Sequence, residues 1–237
     1  MENNSYLCIV IGAKIFGVSR HRIGIDGKGI TTLVTFCGCP LRCAYCLNPQ
    51  CFDLQYGKVY TPEQLYAETH QDNLYFIATE GGICFGGGEP LLQADFIVEF
   101  RNHCGRDWRL TVETSLNVDA SLLEAVLPVV DEYIVDVKDM DPSIYKAYTG
   151  HDNRRVVENL KRLAEAVPPE RVTVRLPIIP MYNTPADRDS SKRQLQTLGF
   201  TRFDEFDYVV GRTPSKRLGT ESRGSFIETT SPDGQYK

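Results

Sequence analysis

Long apolar runs are missing from this chain of 237 residues, and a bilayer-crossing helix needs about 20 consecutive apolar residues. Basic blocks are missing as well. The 26 Lys and Arg against 31 Asp and Glu leave a net charge of −5, with no Lys/Arg stripe interleaved with aromatics, which argues against nucleic acid or an anionic membrane as partner. The opening Met1-Glu2-Asn3-Asn4-Ser5 carries neither the basic nor the apolar region of a secretion signal, so a cytoplasmic protein is expected. No internal repeat and no linker divides the chain. A single domain over 1–237 is therefore expected, with a core of about 26–210 and a polar, loop-like tail over 211–237.

Cysteine is the residue type that is present in excess of structural need. Of eight cysteines, Cys8, Cys37, Cys51, Cys84 and Cys104 are scattered without the spacing of a disulfide framework, as suits a reducing compartment. The other three are bunched as Cys39-x-x-x-Cys43-x-x-Cys46, so three thiolates from one loop can converge on one metal centre. A four-iron four-sulfur cluster is normally held by four cysteines, and three leave one iron with an open position. Zinc is the alternative. It takes four tetrahedral ligands, often with histidine, and no histidine lies near this loop, although Cys37 and Cys51 flank it and keep zinc open by count. Otherwise these two act as small packing side chains.

The remaining pattern alternates strands and helices. Residues 5–25 read as an N-terminal strand and hairpin, 31–36 as a buried strand delivering the cysteine loop, and Thr61-Pro62-Glu63-Gln64 as a helix start. Strands follow at 83–85, 109–114, 133–137, 171–179 and 203–210. Helices follow at 93–104, 119–127, in two pieces before the fifth strand, and at 184–198. Val156, Val157, Leu160, Leu163, Ala164 and Val167 make one apolar stripe, which is core. Such alternation implies parallel β/α units with right-handed crossovers.

In parallel β/α barrels ligands sit at the C-terminal strand ends, and the unusual residues fall there. They are the cysteine loop, Gly86-Gly87-Gly88-Glu89, Glu113, and Asp136 with Lys138, while Arg175 lies inside its strand. Glycines at 86–88 let backbone approach a ligand, or simply make a strand-to-helix turn. A buried Glu113 needs a partner, and it equally suits a cap for the following loop. Lys138 suits a carboxylate as a point charge, or pairs structurally with Asp136. Arg175, in an apolar strand, should face the barrel mouth or pair with an acid.

The cysteine spacing, with Tyr45 before the last cysteine, resembles the cluster loop of the radical S-adenosylmethionine superfamily. The string Asp26-Gly27-Lys28-Gly29-Ile30, followed by Phe36 through Asn48-Pro49, is similar to its glycyl radical enzyme activating branch. This resemblance implies an open, partial (β/α)6 TIM-like barrel and one 4Fe-4S cluster on Cys39, Cys43 and Cys46. It implies reductive cleavage of S-adenosyl-L-methionine to a 5'-deoxyadenosyl radical, and an oxygen-sensitive oxidoreductase of anaerobic settings. It further implies that Gly87, Gly88 and Glu89 meet the amino group of the cofactor, that Glu113 and Arg175 help hold it, and that Lys138 reaches its carboxylate with Asp136 near the ribose. Beside such a cluster, Tyr45 and the backbone up to Leu47 could stack a purine.

The implied partners are a glycyl radical enzyme as protein substrate and an electron donor such as flavodoxin or ferredoxin, the chain itself being a monomer. Modification of a peptide, or of a small molecule such as a nucleoside or sugar, is the alternative activity, and a zinc module the outside one. The chain departs from the branch pattern in having Leu47 where a histidine is usual, and Phe206-Asp207-Tyr208 where a Tyr-His pair is expected.

Overall fold

The computed structural model describes residues 11–209 and, beyond them, the strand Glu228–Thr230. Nine strands form one sheet: β1 (Ala13–Ile23), β2 (Ile30–Phe36), β3 (Lys58–Tyr60), β4 (Gly82–Gly87), β5 (Arg109–Thr114), β6 (Glu132–Asp136), β7 (Val172–Ile178), β8 (Arg202–Val209) and β9 (Glu228–Thr230). Their order is β3-β1-β2-β4-β5-β6-β7-β8-β9. The six from β2 through β8, β3 excepted, are parallel neighbours in chain order. Antiparallel strands lie beyond them on both sides, β1 against β2 with β3 outside β1, and β9 against β8. The barrel is therefore open, with six parallel strands, as expected.

The crossovers carry α1 (Pro62–Thr69), α2 (Asn73–Thr79), α3 (Ala94–Cys104), α4 (Ala120–Val126), α5 (Pro142–Thr149), α6 (Arg154–Ala166) and α7 (Pro185–Thr197). Their ends follow local chemistry. Thr61 and Gln64 make a reciprocal capping box at α1, and Thr184 with Asp187 does the same at α7, each satisfying backbone N–H groups left over at a helix start. Asp141 caps α5, and Gly150 ends it in the left-handed region that glycine tolerates.

Three expectations are corrected. The hairpin pairs β1 with β2 across a turn near 24–29, rather than closing within 5–25; the part of that expectation on residues 5–10 lies outside the described residues. Two elements without a sequence signal, β3 and α2, lie between the cysteine loop and β4. The tail expected to be loop contributes β9; the rest of 210–237 lies outside the described residues.

The two faces of the parallel strands differ. Val34, Phe36, Ile83, Phe85, Leu110, Val112, Val135, Val174 and Leu176 join the buried core with Phe96, Ile97, Phe100, Leu123, Leu160 and Leu163 of the helices. The apolar layer thus lies between sheet and helices. Side chains alternate along a strand, so the opposite face of β6, β7 and β8 sets Asp136, Arg175 and Asp204 side by side in register. Here the barrel interior is polar.

Candidate active site

The loop after β2 carries the three clustered cysteines, and its neighbours hold it by backbone. Arg42 and Ala44 donate their N–H groups to the carbonyls of Thr149 and Tyr148 at the end of α5 (3.0 Å each), and Gly38 donates to Cys51 (2.7 Å). From β4, Gly88 donates to the Phe36 carbonyl (2.9 Å), Glu89 donates to Gly38 (2.8 Å), and the Asn48 amide donates to the Gly87 carbonyl (3.2 Å). This contact explains the glycines. A Cβ on Gly88 would stand 2.1 Å from the Gly38 oxygen. Gly87 has φ +96°, and a Cβ there would meet Thr35 at 2.6 Å.

Cys39, Cys43 and Cys46 are free, partly buried thiols. Burial, with Glu89 and the other thiols adding, pushes Cys39 up to about 12. Burial also raises Cys43, against the pull of the Lys138 ammonium. Cys46 goes the other way, to about 6, because it shares a hydrogen bond with Cys51, whose own thiol is pushed up by the same bond. Among the described residues no three His, Cys, Asp or Glu side chains stand close enough to hold a metal ion as they are. The donor set nevertheless fits an iron–sulfur cluster: three thiols on one loop, none of them in a disulfide, with a buried ammonium whose charge acts on Cys43.

Lys138 lies just past β6, with a side chain only 10% exposed. Its Nζ is 3.2 Å from Asp136 Oδ2 and 3.4 Å from the Tyr208 hydroxyl. Burial alone would lower its pKa; Asp136, with Tyr208, Cys43 and Tyr148, outweighs burial and holds it well above the ordinary lysine value. The loop is stiffened from below. Asp139, buried, accepts from Asn183, Ser191 and the Asp141 N–H (3.0, 3.0 and 2.9 Å).

Tyr148, Ile179 and Tyr208 form a small buried cluster against Cys43, Tyr45, Tyr182 and Phe206. Tyr45 lies 6.2 Å from Tyr148 and 5.8 Å from Tyr182, ring centre to ring centre. Tyr45, itself part of the cysteine loop, thus sits in an aromatic group with Tyr148 and Tyr182, while Leu47 is 47% exposed. Tyr148 and Tyr182 were not singled out in the sequence, since no spacing ties them to the cysteines.

Glu113 and Arg175 find each other inside the barrel. The guanidinium bonds the Glu113 carboxylate, lies 3.4 Å from Asp204 Oδ2 and donates to the Ile25 carbonyl at 3.2 Å. The partner expected for a buried Glu113 is Arg175, and of the two alternatives for Arg175 the structure shows the pairing with acids. Glu89 is also committed within the protein. It is 1% exposed, and it accepts from the Thr114 hydroxyl (2.6 Å), the Ser115 hydroxyl (2.6 Å), the Ser115 N–H (2.9 Å) and the Leu91 N–H (3.2 Å). Burial pushes its carboxyl up against these four donors. It clasps the loop after β4 to the loop after β5.

Comparison with known proteins agrees with this geometry. The Radical SAM superfamily model matches residues 33–187. The (2S)-3-sulfopropanediol dehydratase activating enzyme of Klebsiella oxytoca is 28% identical over 90% of this chain and 90% of its own. Pyruvate formate-lyase 1-activating enzyme of Escherichia coli K12 is 30% identical over 71% and 68%. Among solved structures, SuiB of Streptococcus suis superposes with a TM-score of 0.58 at 13% identity, covering 78% of this chain and 41% of SuiB, a likeness of fold. No helix among the described residues is long and apolar enough to cross a membrane.

Proposed function

The chain belongs to the radical S-adenosylmethionine superfamily, and from that premise we propose that it activates a glycyl radical enzyme by taking a hydrogen atom from a backbone glycine. The observation that carries the reading is the convergence at one mouth of the six-stranded open barrel: the three-cysteine loop, the glycine turn packed on it, and Lys138 beside Cys43. A 4Fe-4S cluster on Cys39, Cys43 and Cys46, with S-adenosylmethionine on its open iron, supplies the reductive carbon-radical chemistry when bound.

The chain's own part is binding, orientation and exclusion of water. Lys138, desolvated and held by Asp136 and Tyr208, presents a fixed positive charge for the carboxylate of the cofactor. Tyr45, Tyr148 and Tyr182 give the aromatic wall on which an adenine stacks. Glu89, with no free oxygen, acts from behind by fixing the β4 and β5 loops. Glu113 and Arg175 neutralise one another in the barrel interior and line the floor below the cofactor. Antiparallel strands end the sheet on both sides, so the wall stays open and a peptide segment carrying the glycine has a way in. The electron comes from a small donor protein of the flavodoxin or ferredoxin kind in a reducing cytoplasm, and the chain acts as a monomer.

Activating enzymes are what the named relatives are, which favours a protein substrate over a free small molecule. The test is anaerobic incubation of the reduced, cluster-loaded protein and S-adenosylmethionine with candidate glycyl radical enzymes, read by electron paramagnetic resonance. A persistent glycyl doublet is expected. Formation of 5'-deoxyadenosine only with a free small molecule, and never that doublet, would refute the reading.

A further inference from the structure

The barrel has a cavity at the end away from the cysteines. There the first residues of β6, β7 and β8 and the turn joining β1 to β2 surround a space of about 430 Å³, within the size range of small-molecule sites. Its lining is charged, with Lys28, Arg171, Arg175 and Arg202 against Glu132 and Asp204. Most of these are matched inside the protein. Lys28 bonds Glu80, Glu132 takes Arg109 at 3.3 Å, and Arg175 holds Glu113 and Asp204. Arg171 and Arg202 differ. Arg171 donates to the carbonyls of Asp131 and Val130 (2.6 Å each), and Arg202 donates to that of Glu170. A peptide carbonyl fixes a guanidinium in place but carries no net charge to cancel it, and neither arginine is paired with a carboxylate among the described residues. These bonds occupy two N–H groups of Arg171 and one of Arg202, out of five on each side chain.

The two side chains belong to one spot. Arg202 lies opposite Thr173 in the register of β7 and β8, Arg171 precedes Thr173 by two residues, and all three line the cavity. Two fixed positive charges at one rim, with N–H groups to spare and a hydroxyl between them, suit a dianion rich in acceptor oxygens. The planar fork of arginine takes phosphate two oxygens at a time. Ile25 and Ile134 give the cavity an apolar side for an organic body. We propose that this cavity binds a small phosphate monoester, its phosphate held between Arg171 and Arg202 and its body lying toward Ile134. The β1–β2 turn forms one wall and is tied to Arg175 through the Ile25 carbonyl at 3.2 Å, so occupancy should steady that turn. Lys138 and the cysteines lie at the other end of the barrel, and the site is separate from the activity above.

The full, cluster-loaded chain is titrated anaerobically by calorimetry at constant ionic strength with glycerol 3-phosphate, inorganic phosphate and succinate. Saturable one-to-one binding is expected, with glycerol 3-phosphate the tightest, and S-adenosylmethionine should not displace it. Arg202 is exposed and bonded to a single carbonyl, so Arg202→Ala should fold. It should weaken glycerol 3-phosphate about tenfold or more, with Arg202→Lys in between, and leave the affinity for S-adenosylmethionine unchanged. Hydrogen exchange on the unaltered chain locates the site without a variant: glycerol 3-phosphate should slow exchange in 24–28 and 171–175 and leave 39–46 as it was. No saturable binding in the millimolar range, displacement by S-adenosylmethionine, tighter binding of succinate, or full affinity in Arg202→Ala would each overturn the proposal. Failure to form a glycyl radical, by contrast, would count only against the activating reading.

Discussion

Replacing Glu89 by Gln probes the site at its most enclosed point. Each carboxylate oxygen takes one backbone N–H, Oε1 from Leu91 and Oε2 from Ser115, and one hydroxyl, from Thr114 and Ser115 respectively. Hydroxyls can turn their hydrogens away; backbone N–H groups cannot. Whichever way a glutamine amide is placed, its NH2 confronts one of the two N–H donors and leaves it without an acceptor. A buried donor left unsatisfied costs about 1–3 kcal/mol. At roughly 2–4 °C per kcal/mol for a chain of this size, Glu89→Gln should lower the melting temperature by about 2–12 °C. The assay is thermal unfolding of the cluster-free protein at neutral pH by circular dichroism. A variant melting within a degree of the parent would mean that Glu89 holds a proton in the folded protein and that the four-donor picture is wrong.

Other expected outcomes concern the mouth and the sheet edge. Lys138→Ala should load its cluster normally but bind S-adenosylmethionine more weakly by about 1.5–3 kcal/mol, the contribution of hydrogen bonds to charged groups; unaltered affinity by calorimetry would return Lys138 to a purely structural pairing with Asp136. Gly88→Ala should fold yet take up little iron, because its Cβ meets the Gly38 oxygen that anchors the cysteine loop; normal iron and sulfide content would contradict this. Alanine at Cys39, Cys43 or Cys46 should abolish cluster absorbance in freshly reduced protein, whereas Cys37→Ala and Cys51→Ala should retain it, and an obligatory fourth cysteine would remove the open iron. Asp72, buried and bonded to Arg20 and His21, is lowered chiefly by the Arg20 hydrogen bond. Its contribution is complete above the ordinary aspartate value of about 4 and is lost as pH falls through the depressed one. Urea midpoints of the parent and Asp72→Asn should therefore converge in acid, and a gap that widens there would refute the assignment.

The parallel strands were legible because each is a short β-branched or apolar run followed by a chemically odd loop, and their bounds shifted by only a residue or two. Two intervening elements were not. In α2, Leu74, Tyr75, Phe76 and Ile77 are consecutive apolar residues with no helical period, since only Phe76 is buried, packed edge-on to Trp108 at 4.9 Å. β3 is three residues whose pairing with β1 is wholly tertiary. At the site, the cysteine array and the Glu113 requirement for a partner could be read directly, whereas Lys138 was left between a carboxylate contact and a pair with Asp136, the contact the structure shows. What Glu89 does could not, because its donors come from Leu91, Thr114 and Ser115, and the last two lie a full β/α unit away. Tyr208 registered only as a departure from a family pattern, although its hydroxyl meets Lys138.

The tie between the cysteine loop and the end of α5 also governs when the loop can take shape during synthesis. Arg42 and Ala44 find their carbonyl partners at Thr149 and Tyr148, more than a hundred residues downstream. Chains emerge N-terminus first at about 5–20 residues per second, so the thiols leave the ribosome several seconds before their backstop exists. Through that interval the nascent loop lacks both α5 and Lys138, the cation that offsets thiolate charge. The loop therefore gains its backstop only once the first four parallel strands, β2, β4, β5 and β6, have been made.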